Sequence, residues 1–410
     1  MTKSSSAGRA LFRNGDFRLF GASRFLTRLA SDMQVVAVGW FVYDLTRSPL
    51  ALGLTGLAAF LPAILAAPIS GHVADTYDRR LVAAGAWGLT TLAQLGLFAF
   101  ALLGGRSVWP IYALVVVTGI GRAFASPALS ALLPTLVPRE MFGTAVVWSS
   151  SLWQTAAVIG PALGGVLYVA GPTTVFGICA AIYALGSLLV VAIRFRPEAR
   201  TGRGPITWAS LSAGLSYIRA QPVVLGAISL DLVAVLLGGA TALLPIFAAE
   251  ILHVGPLGLG ALRSMPAVGA LIVAVWLAYR PLTRRAGPRL LLAVGVFGLA
   301  TIVFGLSHSL WLSMASLLLA GGADMVSVYV RQSVVQGETP DAMRGRVSAV
   351  ESVFIGASNQ LGEFESGSLA ALVGAVPAVV AGGAATLLVA MLWGRLFPAL
   401  KARDRLMAES

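Results

Sequence analysis

A small set of ionisable residues sits inside the long apolar stretches of this chain: Arg24, Arg28, Arg122, Arg263 and Arg331, with Asp32, Asp231, Asp324, Glu351, Glu363 and Glu365. At the centre of a membrane helix each would cost about 2.5–3.5 kcal/mol on insertion scales unless it found a partner or water. Two kinds of chemistry repay such a cost. A cation and a carboxylate can pair and fix the register of neighbouring helices. Alternatively, a carboxylate in a low-dielectric site, where proton affinity rises, can take a proton from one side and release it to the other. Arg24, Arg28 and Glu351 fall near one end of their stretches and Arg263 near the other, where long side chains reach out to headgroups. The deep set is then Asp32, Arg122, Asp231, Asp324, Arg331, Glu363 and Glu365, in which acids outnumber bases. Asp32, Asp231, Glu363 and Glu365 are the candidates for carrying protons, and Asp324 is expected to pair with Arg122 or Arg331. Arg24, Arg28 and Asp32 recur at i, i+4 and i+8, so they form one stripe along a helix. Asp324, Ser327 and Arg331 form another. Glu363 and Glu365 lie about 200° apart around a helix. They cannot share a partner, so one faces the interior and the other a neighbouring helix.

The elements that must position these residues are legible from the apolar runs themselves. Twelve runs cover roughly residues 17–43, 49–74, 81–103, 108–133, 141–169, 172–193, 222–252, 257–279, 289–307, 310–336, 347–373 and 376–398. Each can supply the roughly 20 residues a helix needs to cross about 30 Å of hydrocarbon. The chain is 57% hydrophobic and only 11% charged, which excludes a soluble globule. Arg47 and Arg106 are the only cations in the odd-numbered gaps; most others fall in the even gaps and at the two ends. By the positive-inside rule both termini are therefore cytoplasmic. The net charge of +12 is spread over short flanking loops. It fits lipid headgroups and topology rather than nucleic acid. Cys179 is the single cysteine, so no disulfide can form within the chain. Residues 1–16, with Lys3, Arg9 and Arg13, read as a retained cytoplasmic lead. His72, His253 and His308 map near loops, and no metal-ligand spacing, phosphate-binding loop or nucleophile motif occurs in a matching context. No metal, cofactor or enzymatic chemistry is expected. Trp40 and Trp153 lie deeper than interface anchors such as Tyr43 and could stack on an aromatic cargo.

The long gap from Arg194 to Gln221 carries Arg194, Arg196, Arg200 and Arg203 and ends in an amphipathic segment, Trp208 to Arg219. That segment is expected to lie on the inner membrane surface. The gap divides six spans from six, and a shift of about 202 residues relates the halves. It pairs Pro138 with Pro340, Met141 with Met343 and Gly143 with Gly345, and further on Gly119 with Gly321 and Gly160 with Gly362. The same shift sets Arg122 opposite Asp324. In span 5 it aligns Pro161 and Leu163 with the two carboxylates Glu363 and Glu365 of span 11. Two six-helix halves about an axis along the membrane normal form the architecture of rocker-switch transporters, with cargo held between the halves.

Gap 2 reads Gly71-His-Val-Ala-Asp75-Thr76-Tyr-Asp78-Arg79-Arg80. It resembles the loop 2–3 signature of the major facilitator superfamily, with Thr76 where the family usually has Arg. The resemblance implies a conformational latch made by Gly71, Asp75, Asp78, Arg79 and Arg80. Gly160-Pro161-x-x-Gly164-Gly165 is similar to the span 5 motif of proton-driven drug exporters in that family, with Ala156 replacing its first glycine. Arg122 matches the arginine of the family's span 4 motif, although Ala125 and Ser126 depart from what usually follows. Residues 40–46, 341–347 and 359–367 resemble the subgroup of bacterial siderophore and multidrug exporters.

The expectation is an all-α membrane protein of twelve transmembrane helices in two pseudo-symmetric halves, residues 1–193 and 222–410, joined by a cytoplasmic linker over residues 194–221. The resemblance implies a monomeric bacterial inner-membrane exporter of an amphiphilic organic molecule, working by alternating access in exchange for protons. Spans 1, 4, 7 and 10 would line the cavity, with Asp32, Arg122, Asp231 and Asp324 on its walls. A lysophospholipid flippase is an alternative, and a membrane sensor or partner subunit is one of a different class.

Overall fold

The computed structural model describes residues 11–194 and 208–404, and among these every regular element is a helix. The expectations about residues 1–10 and about Arg196, Arg200 and Arg203 lie outside the described residues. Twelve long helices follow one another. The first six are α1 (Gly15–Thr46), α2 (Pro49–Thr76), α3 (Arg79–Leu102), α4 (Trp109–Leu136), α5 (Phe142–Tyr168) and α6 (Pro172–Val191). The second six are α7 (Pro222–Leu237), α8 (Gly255–Tyr279), α9 (Ala286–Leu306), α10 (Leu310–Glu338), α11 (Asp341–Val373) and α12 (Ala375–Leu396). Nine of them are long and apolar enough to qualify as membrane spans by length and composition alone, counting α7 through Ile251. The exceptions are α1, α5 and α11. These are as long as the others but interrupt their apolar surface with the charged stripe of α1, the Ser149–Thr155 polar stretch of α5 and the carboxylates of α11.

Local chemistry sets the helix ends. Asn14 accepts hydrogen bonds from the amides of Asp16 and Phe17 at 3.0 and 3.3 Å and so caps α1. Asp78 does the same for α3 through the amide of Arg80 at 3.0 Å. Gly171 precedes α6 and Gly374 precedes α12 with φ of +102° and +93°, which an L side chain would adopt only under strain. The same turn thus opens the last helix of each half. Span 7 departs from a single helix. After Leu237 come Gly238 and Gly239, a 3₁₀ turn over Ala240–Leu243, the short Leu244–Ile246 and a π-turn over Phe247–Ile251. Two glycines and Pro245 weaken the regular ladder here, and a Cβ on Gly239 would stand 2.7 Å from the carbonyl of Gly362 on α11.

Contacts divide the chain into two compact units, Met1–Leu45 with Ala58–Pro205, and Thr46–Leu57 with Ile206–Ser410. In the first unit α3 packs against α4 and α6. In the second α9 packs in the same way against α10 and α12, and α8 against α10. The repeated glycines fill equivalent roles. Gly119 of α4 abuts the carbonyl of Ala59 on α2, and Gly321 of α10 abuts that of Pro266 on α8. Gly160 of α5 meets Leu29 and Asp32 of α1, and Gly362 of α11 meets Val235 and Leu236 of α7. Small residues at these crossings let helix backbones approach closely.

The helix Trp208–Ala220 belongs to the second unit. Its Ile218 is fully buried beside Val224 and Val347, Gly214 abuts the carbonyl of Arg346, and the Tyr217 hydroxyl donates to the Glu338 carbonyl at 2.7 Å. It is seated against α11 and the end of α10. The expected surface helix is therefore a packed strut on its apolar side. The chain after α12 turns back, so that the Arg403 and Asp404 carbonyls accept from the Gly287 and Ala286 amides at 3.0 and 3.1 Å, capping the start of α9.

Candidate functional site

The first unit contains a cavity of about 190 Å³ walled by α1, α3, α4, α5 and α6. Arg24 and Arg28 of the α1 stripe supply part of its wall, and Asp32 stands behind them outside the lining. Arg28 Nε donates to Asp32 Oδ2 at 2.6 Å, and the guanidiniums of Arg28 and Arg24 lie 4.3 and 5.3 Å from the ring of Trp153 on α5. Arg24 and Arg28 were expected to reach headgroups; they turn instead onto an aromatic face, where cation–π attraction holds them. Arg122 of α4 reaches the same cavity, together with Trp87 of α3 and Tyr183 of α6. Trp153 is in the wall and Trp40 is not; Trp40 is half-buried elsewhere on α1.

The second unit holds a dense charge cluster. Arg331 of α10, 2% exposed, lies 3.3 Å from Asp231 of α7 and 2.6 Å from Glu351 of α11. Glu351, expected near the interface, is buried: ten residues of helix from Asp341 carry it about 15 Å inward. Asp324 was expected to take Arg331 or Arg122. It lies seven residues before Arg331 on the same helix, a rise of about 10 Å, while the guanidinium extends across to α7 and α11. Asp324 instead lines a small hollow with Asp231 and Ser327. One guanidinium therefore faces two carboxylates directly, with a third nearby, and its Nε has no hydrogen-bond partner among the described residues.

The α11 carboxylates separate as their angular spacing requires. Glu363 lies 3.9 Å from Arg263 of α8, which also donates to the Thr241 carbonyl at 3.3 Å, and Glu365 Oε2 accepts from Ser366 at 3.4 Å. Arg263 thus faces a carboxylate rather than ending among headgroups. A Cβ on Gly56 of α2 would stand 2.6 Å from Glu363 Oε2. Glu351 and Arg263 were the partners that sequence reasoning set aside. Their depth along the helix, counted from the nearest helix end, is the signal that would have kept them in.

At the α2–α3 turn, Asp78 holds Arg80 at 2.7 Å and Asp75 holds Arg79 at 4.0 Å. Arg79 donates to the Ala131 carbonyl of α4 at 3.0 Å, and Arg80 donates to the Ile193 carbonyl just after α6. Both cations thus bind carbonyls near helix C-termini, where the helix dipole favours positive charge. Gly71 stands clear of any neighbour within 4 Å. Along Gly160-Pro161-x-x-Gly164-Gly165, a Cβ on Gly160 would meet Asp32 at 2.7 Å and one on Gly164 would meet the Met33 backbone at 2.9 Å. The motif is the seat on which α5 lies against α1, beside Asp32.

Twelve long helices, repeated as two sets of six with matching glycine crossings, form a polytopic bundle of the major facilitator fold. The chain belongs to the transmembrane secretion effector family of that superfamily, whose model matches residues 6–409. It is 29% identical over 386 residues to enterobactin exporters EntS from Shigella boydii serotype 18 and from Escherichia coli O139:H28, covering 92% of this chain and 90% of each relative. Among solved structures, a bacterial homologue of the human lysosomal transporter Spinster superposes with a TM-score of 0.74 at 15% identity, covering 94% of this chain and 97% of that one. The nucleoside transporter NupG does so with a TM-score of 0.71 at 14% identity, covering 93% and 99%. Both likenesses concern the fold.

Proposed function

We propose that the protein is a bacterial inner-membrane exporter of an amphiphilic organic small molecule, a siderophore or a drug, working as a monomer by alternating access in exchange for protons. Family membership and the likeness to enterobactin exporters support the export of a small organic cargo. The gap charges support a cytoplasmic location for both termini. The observation that carries the proton reading is the Arg331 cluster, in which Asp231 and Glu351 meet one buried guanidinium beside Asp324. A single cation cannot neutralise three carboxylates in a largely buried cluster, and a bound proton reduces the excess negative charge. Because Asp231, Arg331 and Glu351 stand on α7, α10 and α11, gaining or losing that proton changes how strongly three helices hold together. The cluster thereby converts proton binding into a bias on helix arrangement. Glu363 with Arg263, and Asp32 with Arg28, are smaller versions of the same device.

The test uses purified protein in liposomes with an imposed pH gradient and a panel of catechol siderophores, cationic dyes and lysolipids. One class of cargo moves against its gradient only while the pH gradient lasts, and the movement is lost in Asp231→Asn. Movement indifferent to the pH gradient contradicts exchange. If lysolipids alone move in that way, the protein is a flippase.

A further inference from the structure

We infer that the cavity of the first unit binds the anionic group of an aromatic cargo through Arg24, Arg122 and the indole N–H of Trp87; this deepens the exporter reading and rests on it. No residue lining the cavity is an acid, whereas three are arginines. Asp32 neutralises Arg28 at 2.6 Å. Arg24 and Arg122 have no ion pair or hydrogen-bond acceptor among the described residues. Arg24 is half-buried against the rings of Phe20 and Trp153, at 6.0 and 5.3 Å, which screens it from water without supplying negative charge. Trp87 is only 8% exposed, yet its Nε1 has no partner. An indole N–H and a guanidinium can only donate. A buried donor left unpaired forfeits the hydrogen bond it made to water. The three groups together therefore call for an acceptor, and the arginines call for it to be charged.

The remaining wall specifies the rest of the ligand. Trp153, Trp87 and Tyr183 offer aromatic surface, and Ser126 and Ser130 offer hydroxyls that rotate to suit. Arg122 is exposed, so it meets an incoming anion before Arg24 and Trp87 do and can draw it in from solvent. At about 190 Å³ the cavity is below the usual range for a whole drug-sized ligand. It takes the acidic aromatic headgroup of a cargo: a ring system bearing a carboxylate or a comparable anion.

Binding is measured on purified full-length protein in phosphatidylcholine nanodiscs, with tritiated naphthoate as probe and naphthamide, naphthylmethylammonium and short-chain phosphatidylglycerol as competitors. Naphthoate is expected to bind about tenfold or more tightly than naphthamide, the ratio that one charge-assisted interaction supplies. Arg24→Gln combined with Arg122→Gln abolishes that preference while naphthamide binding persists, which shows that the cavity is still formed. The corresponding Arg→Lys pair keeps the preference. No saturable naphthoate binding, equal binding of the amide or the ammonium, or a preference that survives the Gln variants overturns the inference. Displacement by phosphatidylglycerol as effective as by naphthoate itself also overturns it, because the cavity would then be a lipid headgroup site. The assay needs no gradient. Intact anion selectivity without proton-driven movement would count against the exchange reading alone.

Discussion

Among single residues, Arg331 holds the buried charge cluster of the second unit together. It is the largest fully buried side chain among the described residues, and its guanidinium links three helices through Asp231 and Glu351. Removing one partner of a buried ionic cluster typically costs about 3–5 kcal/mol, because the charges left behind are uncompensated. Arg331→Met should therefore lower the melting temperature of the detergent-solubilised protein sharply. Adding Asp231→Asn and Glu351→Gln to the same variant should restore most of it, since the orphaned charges are then gone. A melting temperature unchanged by Arg331→Met alone would mean that the cluster is not a structural joint. The membership of this cluster was only half legible in the sequence. Asp231 and Arg331 stand out as charges deep in apolar runs. Which acid takes the arginine depends on how far its side chain reaches between helices, and that is a property of packing. The same limit hid Arg263 as the neighbour of Glu363.

At the scale of elements, the helix crossings make sharp distinctions among glycines that look alike in the sequence. A Cβ on Gly164 would stand 2.9 Å from both the Cα and the carbonyl oxygen of Met33, backbone atoms that cannot move without shifting α1. Gly71 has nothing within 4 Å. Overpacking of this kind typically costs about 1–3 kcal/mol, whereas alanine in a helix is otherwise preferred to glycine by about 1 kcal/mol. Gly164→Ala should accordingly lower the melting temperature and Gly71→Ala should not. Gly160→Ala and its repeat counterpart Gly362→Ala should behave like Gly164→Ala. If Gly164→Ala proved neutral, the close seat of α5 on α1 would be contradicted. The twelve helices themselves were legible, because a membrane span imposes a minimum apolar length that no other element of this chain meets. The break in span 7 was not, although Gly238, Gly239 and Pro245 sit within it. An apolar run reads the same whether or not its backbone ladder is continuous. The linker helix showed its two faces in the sequence, but only its contacts with α10 and α11 reveal that protein covers the apolar one.

At the scale of the whole molecule, the alternating gap charges and the 202-residue repeat carry most of the architecture, and the repeated crossings at Gly119 and Gly321 and at Gly160 and Gly362 show that the repeat is one of packing as well as sequence. The grouping of Thr46–Leu57 with the second unit was not legible. It arises from contacts such as the close approach of Gly53 to Gly367, which depend on where a helix end lies and not on its composition. Function was legible down to the family and no further, because the side chains proposed to select cargo, Arg24, Trp87 and Arg122, are ones that ordinary helix packing would also tolerate. In the proposed exchange, movement of cargo and movement of protons are one process. Its most direct test is a cargo gradient across liposomes at equal pH on both sides, with a pH-sensitive dye enclosed. Exchange predicts that cargo leaving through the protein drives protons in the opposite direction, and that Asp231→Asn, correctly folded, abolishes this proton flux. Cargo movement with no change in the enclosed dye would contradict it.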